Sequence, residues 1–216
     1  MLDNKTIIQQ TIKFVTHLLE KNSNGHDIFH IKRVVKNAQL LAEKEGGNIF
    51  LIEMSAWLHD VGDYKLHDGV EKHTEIIPAF LQSISVDEQM IEQILTIITS
   101  ISFKGGFNDS PRSLEAKIVQ DADRLDALGA IGIARAFAYG GSKNRLLYNP
   151  NQKVEIHTDF TSYKNSNAPT LNHFYEKLLK LKDLMHTQTA KQMAEERHKF
   201  MESYLIQFYK EWGGVE

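Results

Sequence analysis

With 216 residues, 42% of them hydrophobic and 25% charged, the chain is long enough to bury a full apolar core, which excludes a disordered or a small disulfide-stapled protein. Its net charge of -3 argues against an extended nucleic-acid surface and favours a small substrate. It contains no cysteine, so any metal must take imidazole and carboxylate ligands, and a cytoplasmic location is expected.

The first segment, MLDNKTIIQQTIKFVTHLLEK, is broken by Asn4, Lys5, Gln9, Gln10 and Lys13. It therefore reads as neither a signal peptide nor a membrane span, but as an amphipathic helix with Ile8, Ile12, Val15, Leu18 and Leu19 on one stripe. KNSNG at 21–25 breaks it, and a second helix follows with Ile31, Val34, Val35, Ala38, Leu41 and Ala42 inward, ended by Gly46-Gly47. A short apolar helix is expected over 49–61, with His59 and Asp60 at its end and Gly62 at its exit into a polar loop. Further helices are expected over 72–83, where Pro78 starts or kinks the helix, and over 87–101, 113–128 and 131–138. The stretch from Gly140 to Pro169 is rich in Gly, Asn, Ser and Tyr and reads as a lid, after which one helix runs to about 184 and a long last helix carries Met193, Met201, Tyr204, Leu205, Phe208 and Trp212 inward. The expectation is an all-α, compact multi-helix bundle with additional C-terminal helices.

Chemistry concentrates in LHDVGD at 58–63, where an apolar helix closes on His59, Asp60 and Asp63. Burying an ionised carboxylate costs several kcal/mol unless it is paired or coordinated, and a divalent cation is a natural counter-charge. His30 lies on the preceding helix, and Asp123 on a helix dominated by Ile118, Val119, Leu125 and Ala127, so two imidazoles and two carboxylates are available for a mixed N/O site. Asp126, three residues on, shares the face of Asp123 and competes for the role, as does Asp121 less easily. His26, His67 and His73 are weaker candidates, His73 for a second ion. The basic residues best placed for a phosphorylated substrate are Arg33, Lys104 and Arg124, with Arg145 in the proposed lid and Tyr175 and Lys177 from the C-terminal helices.

The order His30, His59-Asp60, Asp123 resembles the HD-domain phosphohydrolases. GHDIFHIKRV, WLHDVGD, QDADRLDALGAIGIARAFAYGG and NHFYEKLLKLKDLMHT are similar to a bacterial branch with YpgQ-like and YedJ-like members. The resemblance covers most of the chain. It implies a single domain over 1–216, with an HD core over about 22–130 and a lid-like segment and helices over about 140–216. It implies one divalent ion (Mn, Mg, Fe, Co or Ni, with Mn favoured) on His30, His59, Asp60 and Asp123, the last chosen by the family's ADxL segment. Asp63 matches a family position held by an acid that orients or deprotonates the attacking water, so Asp60 and Asp63 are the expected catalytic carboxylates. The expected activity is hydrolysis of nucleotides, from nucleoside triphosphate to monophosphate and pyrophosphate. The alternatives are a phosphomonoesterase of the 5'-nucleotidase type and a non-catalytic helical module that binds metal and phosphate. The partner is a small phosphorylated substrate, with no membrane, and a homodimer is compatible with the sequence.

Overall fold

In the computed structural model the described residues are 2–20, 27–64, 66–67, 69–101, 111–155 and 166–214. Their order is α1 (Asn4–Leu19), α2 (Ile28–Glu45), α3 (Ile49–Leu58), α4 (His73–Ser83), α5 (Glu88–Ile101), α6 (Leu114–Asp126), α7 (Gly129–Ser142), α8 (Asn172–Glu176), a 3-10 helix (Leu178–Leu184) and α9 (Gln188–Gly213). No strand occurs among the described residues. The all-α expectation holds. The chain forms two compact units, the first made by described residues up to Ile101 with 111–123, the second by those from Arg124 onward.

The first unit is organised around α3. Its sequence, IFLIEMSAWL, is apolar all round, and such a helix is stable only when surrounded. It packs on α1, α2 and α5, and α5 in turn packs on α4. Ile31, Val34, Ala38 and Leu41 of α2 meet a core that includes Ile52, Met54, Leu58, Ile94 and Ile98, all almost fully buried. On α1 the buried row is Ile7, Thr11, Val15 and Leu19, which shares Val15 and Leu19 with the expected stripe and has Ile7 and Thr11 in place of Ile8, Ile12 and Leu18. A threonine is tolerated there because its hydroxyl donates to the Ile7 carbonyl at 3.0 Å, leaving its methyl for packing.

Helix starts follow their capping residues. Asp27 accepts from the His30 amide at 2.8 Å, and Asn48 accepts from the Leu51 amide at 3.1 Å. One element ends earlier than expected in this unit, and the position of Pro78 narrows its alternatives. Helix α3 ends at Leu58 rather than 61, so His59 is its C-terminal capping residue. Pro78 neither starts nor ends α4 but lies inside it. A proline there removes one backbone bond, to Thr74, which lies on the exposed side, and an amphipathic helix packed through Ile77 and Leu81 withstands that loss.

In the second unit α9 packs on α7 and on the 3-10 helix around Phe174, Leu178, Leu181, Ala190, Ala194 and Met201. Helix α7 runs past Gly140-Gly141 to Ser142. Gly140 serves packing rather than termination, since a Cβ there would lie 2.0 Å from Thr170 Oγ1. The single helix expected up to 184 is instead the short α8 followed by the 3-10 turn. No helix of the described residues is long and apolar enough to cross a membrane.

Candidate metal centre

Three pieces of the first unit bring four side chains together. Helix α2 contributes His30, 1% exposed and flanked by core residues. The C-terminal end of α3 contributes His59 and Asp60, both 7% exposed. Helix α6 contributes Asp123, whose side chain is 38% exposed. His30 Nε2 lies 3.4 Å from Asp60 Oδ2 and 3.5 Å from Asp123 Oδ1. His59 Nε2 lies 3.5 Å from Asp60 Oδ1 and 3.8 Å from Asp123 Oδ1. The two imidazoles meet edge to face with centroids 5.3 Å apart.

Whether these residues suit a metal is decided by His59. Its Nδ1 sits 2.8 Å from the Ala56 carbonyl, and a carbonyl only accepts, so Nδ1 carries the proton. In the neutral ring Nε2 then presents a lone pair towards carboxylate oxygens, and this buried atom has no hydrogen-bond partner among the described residues. A lone pair facing carboxylates is repulsive unless a positive charge, a proton or a metal ion, lies between them. The separations agree: ligands about 2.0–2.2 Å from an ion at tetrahedral to octahedral angles lie roughly 2.8–3.6 Å apart, close to the 3.4–3.8 Å spread observed. His30, His59 and Asp60 alone already offer ligand atoms within 4.8 Å of one another. The donor set, two imidazoles and two carboxylates with one carboxylate half open to solvent, fits a divalent ion with room for further ligands.

The turn carrying the doublet is fixed by Gly62. Its φ is +90°, and a Cβ there would lie 2.4 Å from the His73 amide nitrogen, so the backbone can pass the start of α4 only as glycine. The Lys72 amide closes this approach by donating to the Gly62 carbonyl at 2.8 Å. Asp63 follows, half-buried, its amide donating to the Asp60 carbonyl at 3.1 Å.

Comparison with known proteins follows the same residues. The HD domain family model matches residues 28–128, a span that contains all four side chains. The Bacillus subtilis (strain 168) protein YpgQ is 38% identical over 210 residues, covering 96% of this chain and 95% of YpgQ. The chain belongs to the HD-domain family. It is accordingly a metal-dependent phosphohydrolase that uses a divalent ion. Among solved structures, an HD-superfamily hydrolase from Bacillus thuringiensis is 49% identical with a TM-score of 0.76, covering 98% of this chain and 99% of its own. The structure of Bacillus subtilis YpgQ in complex with ADP is 36% identical with a TM-score of 0.77, covering 97% and 100%.

Within this HD-family chain the remaining candidates have distinct surroundings. Asp126 is buried and its carboxylate is held by Arg135 Nη1 at 2.9 Å, whereas it is Asp123 that the structure brings to the imidazoles. His73 is buried with Nδ1 2.8 Å from Glu71 Oε2. Arg33 lies half-buried one turn after His30. Arg124, Arg145, Tyr175 and Lys177 belong to the second unit. There Arg124 donates to the Leu184 carbonyl and meets His186 Nε2 at 3.2 Å. Arg145 donates to the Ser166 carbonyl and lies over the Tyr139 ring. Tyr175 shares a hydrogen bond with the Tyr209 hydroxyl at 3.3 Å, and Lys177 is half-buried. Arg197 donates to the Leu125 carbonyl; burial pulls its guanidinium below the ordinary arginine range, and nearby Asp126 works against that. His26, Lys104 and residues 156–165 of the proposed lid lie outside the described residues. One side chain that the sequence reading passed over touches this region: Asn37, whose amide donates to the Ala122 carbonyl at 3.3 Å.

Proposed function

We propose that the chain hydrolyses nucleoside triphosphates to monophosphate and pyrophosphate, with His30, His59, Asp60 and Asp123 holding a single divalent ion, manganese by preference. The observation that supports the metal assignment is the His59 Nε2 lone pair directed at two carboxylates. The ADP complex of YpgQ, a relative similar over nearly the whole chain, supports a nucleotide as substrate class. Two imidazoles with two carboxylates suit manganese, since carboxylate oxygen matches its hardness and imidazole is accepted alongside. A divalent ion bound there supplies Lewis acidity towards a phosphoryl oxygen and lowers the pKa of a water it holds from about 15.7 towards 7.

The chain's own groups do the rest. Asp60 and Asp123 carry the negative charge that retains the ion. The Ala56 carbonyl keeps His59 in the tautomer that exposes Nε2. Asp63 stands three residues after Asp60, tethered through its amide, and its carboxylate orients the attacking water and takes its proton. Water adds to the α-phosphorus, the bond from that phosphorus to the bridging oxygen breaks, and pyrophosphate leaves. Arg33, on the helix that carries His30, supplies positive charge to the phosphates.

Phosphorus NMR of a nucleoside triphosphate incubated with the manganese-loaded protein tests the reaction. Pyrophosphate and monophosphate signals are expected. Orthophosphate from a monophosphate, with no pyrophosphate from any triphosphate, would assign the chain to phosphomonoester hydrolysis instead. Metal and nucleotide binding with no turnover of either would leave a binding module.

A further inference from the structure

We propose that Asn37 is a positioning residue for the metal centre: by bonding the Ala122 carbonyl it sets the register of α6 against α2 and so holds Asp123 opposite His30. The inference rests on the reading that His30 and Asp123 share one ion.

Asn37 follows His30 by seven residues, two helical turns, so both lie on one face of α2 about 10.5 Å apart along its axis. Each reaches α6 at neighbouring residues, His30 towards Asp123 at 3.5 Å and Asn37 to the carbonyl of Ala122 at 3.3 Å. The two attachments meet α6 at adjacent residues, so the Asn37 bond fixes the backbone height and rotation of α6 at the very turn that carries Asp123. The Ala122 carbonyl can take this bond without giving up its place in the helix, because a carbonyl oxygen has two lone pairs.

Other side-chain bonds of α6 lie nearer its start, where Glu115 accepts from the Asn48 amide at 3.1 Å and Gln120 donates to the Ile101 carbonyl at 3.1 Å, whereas Asn37 acts one residue from Asp123. Helix α2 packs on α3. Ala122 is fully buried but carries only a methyl group, too small to interlock with α2. Asp123, meanwhile, is the most exposed of the four centre side chains. A shift of 1 Å at that carboxylate spoils coordination, where ligand distances are set within about 0.2 Å.

The test uses the full chain and cobalt(II) as the probe, read by calorimetric titration and by the visible d–d spectrum. Asn37→Ala removes the donor, and Asn37→Asp keeps the shape while placing a carboxylate oxygen against the carbonyl. Asp3→Ala serves as a control for stability alone, since Asp3 caps α1 by accepting from the Thr6 amide at 2.7 Å and has no part in the centre. Both Asn37 variants are expected to bind cobalt about tenfold more weakly, the range found for residues that orient metal ligands, with an altered d–d spectrum. Asp3→Ala is expected to keep the wild-type affinity and spectrum. Wild-type binding by both Asn37 variants overturns the inference and leaves the metal centre standing. Equal weakening in Asp3→Ala also overturns it, by showing that general stability sets affinity. Failure of the wild-type protein to bind cobalt, or any of the other divalent ions, removes the metal reading itself and this inference with it.

Discussion

The Ala56 carbonyl is a small feature with a large effect, because a hydrogen bond to Nδ1 decides what His59 can do with Nε2. Removing a carboxylate ligand and removing the water-directing acid should therefore look different. Asp60→Ala is expected to abolish divalent-metal binding, whereas Asp63→Asn is expected to keep the metal and lose about 10²–10⁴-fold in turnover number. Metal content and kinetics measured on the same preparations check this, and equal metal loss in both would assign Asp63 to the ligand set. Gly62→Ala is expected to cost at least about 2 kcal/mol, from the positive φ and from a Cβ pressed on the α4 backbone, as read by urea unfolding. At this scale only His59 and Asp60 stand out in the sequence by themselves, closing an apolar helix, whereas His30 and Asp123 lie on amphipathic helices and were picked out by the resemblance to the HD family. Asp123 and Asp126 could not be separated by periodicity, as they share a face. Their partners separate them, and Arg135 lies nine residues beyond Asp126 on another helix. Asn37 gave no signal, since an amide on a half-polar helix face is ordinary.

Among the elements, α2 carries two loads, as a core helix and as the platform for His30. Its N-cap bond runs from the His30 amide itself to Asp27, so Asp27→Ala is expected to destabilise the protein by about 1 kcal/mol, measured by urea unfolding. Metal affinity should fall with it, as the first turn of α2 frays around a ligand. Helices α1, α2, α4 and α5 were readable from their amphipathic 3.6-residue period, and the end of α2 from Gly46. The 3-10 segment was not. Leu178 and Leu181 lie three apart, a spacing that suits one face of an α-helix as well as the threefold repeat of a 3-10 helix, and the unit's packing chooses between them. Helix α7 outran its expected end at 138, since Gly140, where the lid-like stretch was expected to begin, lies inside it against Thr170.

For the molecule as a whole, a metal held only by the folded state must stabilise it. At a free metal concentration of about 100 times the dissociation constant the gain is about 2.7 kcal/mol. For a chain of this size that corresponds to a rise in melting temperature of roughly 5–10 °C, which the His59→Ala, Asp60→Ala double variant should not show. The all-helical architecture and family membership could be read from the sequence because both are written in local patterns: periodic apolar stripes, and a doublet closing an apolar helix. Division into two compact units could not, because the boundary falls inside α6, between Asp123 and Arg124, where the local helical pattern is unbroken. The central claim is tested most directly by assaying a panel of nucleoside mono-, di- and triphosphates with Mn, Mg, Co or Ni, comparing wild type with the same double variant. Metal-dependent release of pyrophosphate from triphosphates by wild type alone is the expected result; turnover of the same substrates by the double variant would contradict it, because the chemistry would then lie elsewhere in the chain.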